Sequence, residues 1–394
     1  GLCVGGMDTE DAATKPPICR EEAYVHREAG AERADPYHWL CRWGDRAVRE
    51  HLEAENRYKE EMLRPVEEFR EDLFRELVGR MREDDVSAVY PEGNYQYRHR
   101  VEKGKQYRIH ERAPRGSGKK ADWEVYYDEN AEAEGKTYFD LGYLDVSPDG
   151  RLLAHATDEE GDEEFTVRFC DLQTGTDLPD VLSPVAAEGE WDAKGEWFYY
   201  VVEDESRRPW RLLRHRLGTD PSQDEEIYRE EDALFHLGIE KSQDSRWIFA
   251  VSESKETTEA RALSAEDPKA RARLLLPRRQ GIRYYPEHHV DRWLLRTNDG
   301  APDFRLLSIA VEAAEETAFR EERPARKGVH LEEVLVLEHH WIFFERADGI
   351  PQIEVRDLRD ESHSRIPVPD PVYALEDFGN AEYATDRFRY LYSS

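Results

Sequence analysis

Apolar and aromatic residues along most of this chain fall into short period-two runs, and the runs come in pairs. Each pair opens on a turn-like residue, passes through a first strand, crosses a polar turn and returns as a second strand. The opening residues are Gly93, Gly150, Gly195, Ser245, Asp291, His340 and Asp386, so the steps between them are 57, 45, 50, 46, 49 and 46 residues. GEWFYYVVEDESRRPWRLLRHRL and HWIFFERADGIPQIEVRDL are two of the copies, and the seventh is the stub DRFRYLYSS. A period of this size with several strands per unit is the sequence signature of a β-propeller. The pattern predicts an all-β seven-bladed propeller over residues 86–394, with the seventh blade truncated. Runs such as Trp197, Phe198, Tyr199, Tyr200, Val201 and Val202 are apolar at every position, which fits strands covered on both faces by adjacent blades.

Ahead of the strands the period changes. Residues 45–63 read as a helix with Asp45 as N-cap and Val48, Leu52, Tyr58 and Met62 roughly on one face, ended by Pro65. Residues 66–81 read as a second helix, with Val66, Phe69, Leu73 and Leu77 at helical steps. Both stripes need a partner surface, and blades that bury against each other do not offer one. Residues 1–34 are polar and read as a loosely held leader, in which Met7 is a candidate initiator. The helical segment is assigned to residues 35–82. Between helix and strand lie Met81, Arg82, Glu83, Asp84 and Asp85, charged and without an apolar anchor beyond Met81; they are the expected hinge.

Composition narrows the partners. The net charge of −31, from 87 acidic and 56 basic residues, argues against nucleic acid and against an anionic membrane surface, because both need a basic footprint. It suits a solubility surface, or a field that attracts cationic peptides. Cys3, Cys19, Cys41 and Cys170 show no C-x-x-C pairing and no histidine at metal-ligand spacing, so free thiols in a reducing cytoplasm are expected. The start lacks the basic and apolar stretches of a signal peptide, and no run approaches the length of a membrane span.

Candidate chemistry is sparse. The nucleophile elbow G-x-S-x-G does not occur; its nearest relative, Gly116-Ser117-Gly118, lies in a basic loop without strand-to-helix context. P-loop, H-E-x-x-H, EF-hand and G-x-G-x-x-G patterns are absent too, and neither a cofactor nor a metal is expected. The pairs His288-His289 and His339-His340 would point to opposite faces of a strand and could not chelate one ion there. The acidic groups Asp158-Glu159-Glu160 and Glu163-Glu164 sit across an expected hairpin tip, where a solvated turn is the simpler reading than a carboxylate pair for glycoside hydrolysis.

One set of motifs runs in order along the chain. Asp35-Pro36-Tyr37-His38-Trp39-Leu40, then His51-Leu52-Glu53-Ala54-Glu55-Asn56 with Tyr58, resembles the N-terminal signature of the prolyl oligopeptidase family of serine peptidases. Gly79-Arg80 with Glu83-Asp84-Asp85, His215-Arg216-Leu217-Gly218-Thr219, Leu276-Pro277-Arg278-Arg279 and Arg389-Tyr390-Leu391-Tyr392-Ser393-Ser394 resemble its oligopeptidase B (protease II) branch. Cys41-Arg42-Trp43 departs from the pattern, where the family usually has acidic residues. The resemblance implies a propeller inserted near the start of an α/β-hydrolase domain, against which the N-terminal helices pack. It also implies that Ser, Asp and His of the triad lie beyond Ser394, so no catalytic residue is assigned within this chain. The implied activity is hydrolysis of short peptides after Arg or Lys, with the propeller gating access and oligopeptides as substrates. The alternative is a stand-alone, non-catalytic propeller that binds a partner, or a pseudoenzyme fragment.

Overall fold

The computed structural model describes residues 15–313 and 318–394, and the chain divides into two compact units, residues 1–82 and 83–394. The first unit opens with a hairpin of strands β1 (Val25–Glu28) and β2 (Ala31–Ala34), paired from Val25 with Ala34 to Glu28 with Ala31. This corrects part of the expected loose leader; residues 1–14 of that leader lie outside the described residues. The hairpin is closed by Ala29 and Gly30, both at positive φ (51° and 78°), the backbone that a tight two-residue turn requires. Strands of four largely polar residues carry almost no periodicity, which is why the pattern did not reveal them.

Helix α1 (Arg46–Leu63) begins where expected, with the Asp45 carboxylate accepting from the Ala47 N–H at 2.9 Å. Pro65 falls in a single 3-10 turn, after which helix α2 (Glu67–Arg80) follows. Trp39 is the buried anchor of this unit, its indole N–H donating to Arg20 O at 2.8 Å. The stripe predicted on α2 remains uncovered, with Phe69 65% exposed and no residue of the helix buried, whereas on α1 Val48 is buried and Leu52 and Met62 are exposed.

The second unit holds six blades and a ribbon. Blades two to six are four-stranded antiparallel sheets whose strands follow one another in chain order, as in blade three: Gly189–Trp191, Trp197–Glu203, Pro209–Arg216 and Glu225–Arg229. In blade one Asp85–Val86 and Tyr90–Glu92 both pair with Tyr95–Val101. A two-stranded ribbon, Ala374–Asp377 with Tyr390–Ser393, follows blade six. The expected count of seven blades is therefore corrected to six. Among the described residues the ribbon is two-stranded, with no third or fourth strand beside it.

The repeat seen in the sequence is a repeated turn. In blade two, Ser147 Oγ accepts from Leu152 N at 2.8 Å and lies 2.6 Å from Asp149 Oδ1, while Gly150 N donates to Ser147 O. Blade four repeats it with Ser242, Asp244 and Ser245. In blade three Asp192 takes over the serine's role, accepting from Glu196 N and Trp197 N. Gly150 is required on two counts: φ is +75°, and a Cβ there would stand 2.7 Å from the Tyr95 ring.

The blades bury both faces. Phe198 and Tyr200 pack with Phe165, Val167, Phe169 and Trp191 on one side, while Tyr199 and Val201 pack with Leu237, Ile248 and Leu263 on the other. Alternate side chains of one strand thus feed two inter-blade cores, which is why such strands are apolar at every position. Phe198 stands edge-on to Phe169 and Trp191, with centroids 5.2 and 5.1 Å away; its truncation to Ala would cost about 3–5 kcal/mol. Blade six packs its Ile342, Phe344 and Ile353 against Leu375, Phe388 and Tyr390 of the ribbon segment.

Candidate functional site

The first strand of each blade sets the chemistry of the propeller's interior. A cavity of about 560 Å³ is lined by the first strands and following turns of blades one to four, including Glu92, Asp145, Glu190 and Lys241, and by Ala381 from the ribbon loop. A neighbouring cavity of about 380 Å³ carries Glu240, Glu287, Arg296 and Glu333 from blades four to six. Carboxylates dominate both. Lys241 Nζ lies 2.9 Å from Glu190 Oε2. Burial opposes its charge, but Glu190, Asp145 and Glu92 outweigh burial and hold the ammonium above the ordinary lysine value.

At three other carboxyls burial prevails. Burial pushes Glu287 up to about 8 and Glu240 up to about 7, and it raises Asp145 well above its usual range. Glu287 accepts from the backbone N–H of Gln243 at 3.0 Å and of His288 at 2.7 Å. Asp145 Oδ2 is buried with no hydrogen-bond partner among the described residues. The interior is thus a carboxyl-rich, poorly solvated lining with cationic side chains at Lys241, Arg246 and Arg296, suited to receiving positive charge.

One end of this interior is crossed by the loop of the ribbon. Gln243 Nε2 of blade four donates to Asn380 O at 2.5 Å, and Glu338 N of blade six donates to Tyr383 O at 3.0 Å. The Tyr383 hydroxyl meets His289 Nδ1 of blade five at 2.8 Å, and Arg115 of blade one pairs with Glu382. Four blades therefore hold one short segment.

The expected hinge residues fall at the border of the two units. Met81 N donates to Val78 O and caps α2, while Asp85 already pairs with Val101 in blade one. Arg82, Glu83 and Asp84 carry the chain across, and the division falls between Arg82 and Glu83. Remaining candidates find separate structural partners. His288 Nδ1 meets Asp244 Oδ2 at 2.5 Å, and His340 lies between Asp357 and Asp386. Asp158 accepts from the backbone of Glu160, Gly161 and Glu163, a hairpin-tip turn, and Ser117 Oγ is turned back onto Pro114 O.

The interior carboxylates went unassigned in the sequence, although a signal was present. Asp145, Glu190 and Glu240 each stand five residues before the turn residues Gly150, Gly195 and Ser245. These positions fall just ahead of the apolar strands that carry the repeat.

Blade order, shared turn and acidic axis define the class of this protein: a β-propeller with an appended helical segment. The sequence profile of the prolyl oligopeptidase N-terminal β-propeller domain matches residues 16–394, and the chain belongs to the prolyl oligopeptidase family, as motif 35–40 led us to expect. It is 32% identical over 400 residues to dipeptidyl aminopeptidase BI of Pseudoxanthomonas mexicana, covering 97% of this chain and 55% of that protein. It is 33% identical over 392 residues to Protease 2 of Moraxella lacunata, covering 96% and 55%. Oligopeptidase B from Leishmania major superposes with a TM-score of 0.89 at 26% identity, over 96% of this chain and 57% of that one. The chain spans about half the length of these relatives. Among the described residues, no helix is long and apolar enough to cross a membrane.

Proposed function

We propose that this chain is the N-terminal and propeller portion of an oligopeptidase B-like serine endopeptidase, cleaving short peptides after Arg or Lys once joined to an α/β-hydrolase domain. The observation that carries this reading is the match over residues 16–394 to relatives of which the chain covers only 55%. The hydrolase domain would supply Ser, Asp and His and would cover the exposed stripe of Phe69, Leu73 and Leu77 on α2. The ribbon would be the start of a seventh blade, and the ring would gate access so that oligopeptides enter and folded proteins do not. The acidic lining around Asp145, Glu190 and Glu240 supports a preference for basic peptides. Cys19, Cys41 and Cys170 are free thiols, which suits a reducing cytoplasm.

A second reading takes the relative named dipeptidyl aminopeptidase as its support: release of dipeptides from a free N-terminus. The test joins the chain to a hydrolase domain from such a relative and compares an N-terminally blocked fluorogenic peptide ending in Arg with the unblocked form. Turnover of the blocked peptide supports the endopeptidase; turnover of the unblocked form alone supports the second reading. The 394-residue chain by itself should give neither turnover nor labelling by a serine-directed phosphonate, and stoichiometric labelling of one of its serines would overturn the proposal.

A further inference from the structure

Chemistry-bearing side chains also meet in the helical unit, away from the propeller. His26 on β1, Asp35 just after β2 and His38 in the following 3-10 turn bring one donor atom each to within 4.8 Å of one another. His26 Nε2 lies 2.9 Å from Asp35 Oδ2. The other oxygen, Oδ1, accepts from the Tyr37 N–H at 3.2 Å, which fixes the carboxylate's orientation and turns Oδ2 toward the histidine. The His38 ring stacks on Tyr24 with centroids 3.6 Å apart and planes 9° from parallel, and stands perpendicular to the His26 ring at 5.0 Å. No described residue hydrogen-bonds its ring nitrogens. The His26–Asp35 pair explains itself as a hydrogen bond; His38, held in place and facing that pair with nothing to bond, does not.

We propose that His26, Asp35 and His38 form a binding site for a borderline divalent transition metal such as Zn²⁺. Two imidazoles and one carboxylate suit Zn²⁺, Co²⁺ or Ni²⁺ rather than Mg²⁺ or Ca²⁺, which favour all-oxygen shells. Bonds of about 2.0–2.2 Å in a tetrahedral shell separate donors by roughly 3.4 Å. The His26–Asp35 contact therefore opens by about half an ångström, and the widest separation closes by at most about 1.4 Å. The metal replaces the proton shared between His26 Nε2 and Asp35 Oδ2. Water fills the fourth position. The ion would clip the β1–β2 hairpin to the turn that leads into α1, joining two pieces of the segment 25–41 that are otherwise held by single hydrogen bonds such as Asp35 N to Tyr24 O. His26 and His38 stand twelve positions apart in the chain, and only the hairpin brings His26 back beside Asp35.

The experiment uses the full 394-residue chain, stripped of metal and titrated with Zn²⁺ by calorimetry and with Co²⁺ by visible absorption. His38→Phe keeps the ring stack on Tyr24 and removes a donor; Asp35→Asn keeps the bond from Tyr37 N–H and removes the charge. One site per chain is expected, weakened at least about tenfold by either substitution, with a Zn²⁺-dependent rise in melting temperature that both variants lose. Co²⁺ should give d–d bands without a thiolate charge-transfer band. Absence of binding, equal affinity in the variants, or a thiolate band from a cysteine would each overturn the proposal. If a variant fails to fold, the stoichiometry and spectrum of the wild-type chain decide between these outcomes.

Discussion

The guanidinium of Arg278 donates from Nη2 to Oε2 of Glu230 at 2.6 Å, joining the loop after blade four to the end of blade three. It also reaches Glu259 Oε1 at 3.1 Å and lies over the Phe235 ring at 4.0 Å. Glu230 is only 2% exposed. Burial alone would raise both carboxyls, but the hydrogen bonds from Arg278 prevail and hold Glu230 and Glu259 below the ordinary glutamate value. Arg278→Met leaves two buried carboxylates without their shared cation and should cost about 3 kcal/mol at neutral pH. Because the folded values are depressed, this stabilisation is present above the unfolded carboxyl value of about 4.3 and is lost as pH falls through the folded values. Urea unfolding of both proteins should show the gap narrowing below about pH 4; a gap independent of pH would sink the assignment.

The acidic interior predicts the opposite slope. Glu287, raised by burial to about 8, favours the protonated folded form. Its contribution is fully present below the unfolded value and is eroded as pH rises toward 8. Glu287→Gln keeps an acceptor for the Gln243 and His288 amides. It should match wild type near pH 5 and exceed it by about 2 kcal/mol above pH 8. Denaturant melts at the two pH values check this, and equal stability at both would show that Glu287 stays solvated.

The stretch Arg82–Asp84 offers a test of gating in a protein joined to its hydrolase domain. Glu83→Pro fixes φ at that residue and restricts Arg82 as well. Peptide turnover should fall by roughly threefold to tenfold, while labelling of the catalytic serine by a small phosphonate is unchanged. Wild-type values for both would remove the hinge role.

Among the described residues nothing pairs with the outer edge of Tyr390–Ser393 in the two-stranded ribbon, and Leu391 is 46% exposed. Open strand edges invite association. Light scattering at matched concentration should therefore find more oligomer in the 394-residue chain than in one extended through a completed seventh blade. Equal monomer fractions would argue against seven-bladed closure.

Reading the sequence recovered the features whose cause is local. Asp45 capping α1 and the turn at Ser147–Gly150 are written in adjacent residues, and runs such as 197–202 disclose their two-sided burial by composition alone. What escaped was set by long-range placement. The fourth strands, such as Arg273–Leu274 and His363–Arg365, are short and polar and pair only because three strands precede them. The carboxylates of Glu92, Asp145 and Glu190 become one lining only when separate blades face a common axis, and His26 meets His38 only once the hairpin has turned.

The loop held by four blades bears on how the ring assembles. Contacts within a blade and between neighbouring blades join residues tens of positions apart, whereas Arg115 and Glu382 are separated by 267 residues. Closing a loop of that length carries an entropic cost of about 5 kcal/mol from the length-dependent part alone. That contact can repay the cost only after the intervening blades have stacked, so the clasp forms last and should register as a late, denaturant-sensitive phase in refolding. The same seam is then the first to part when the ring is strained.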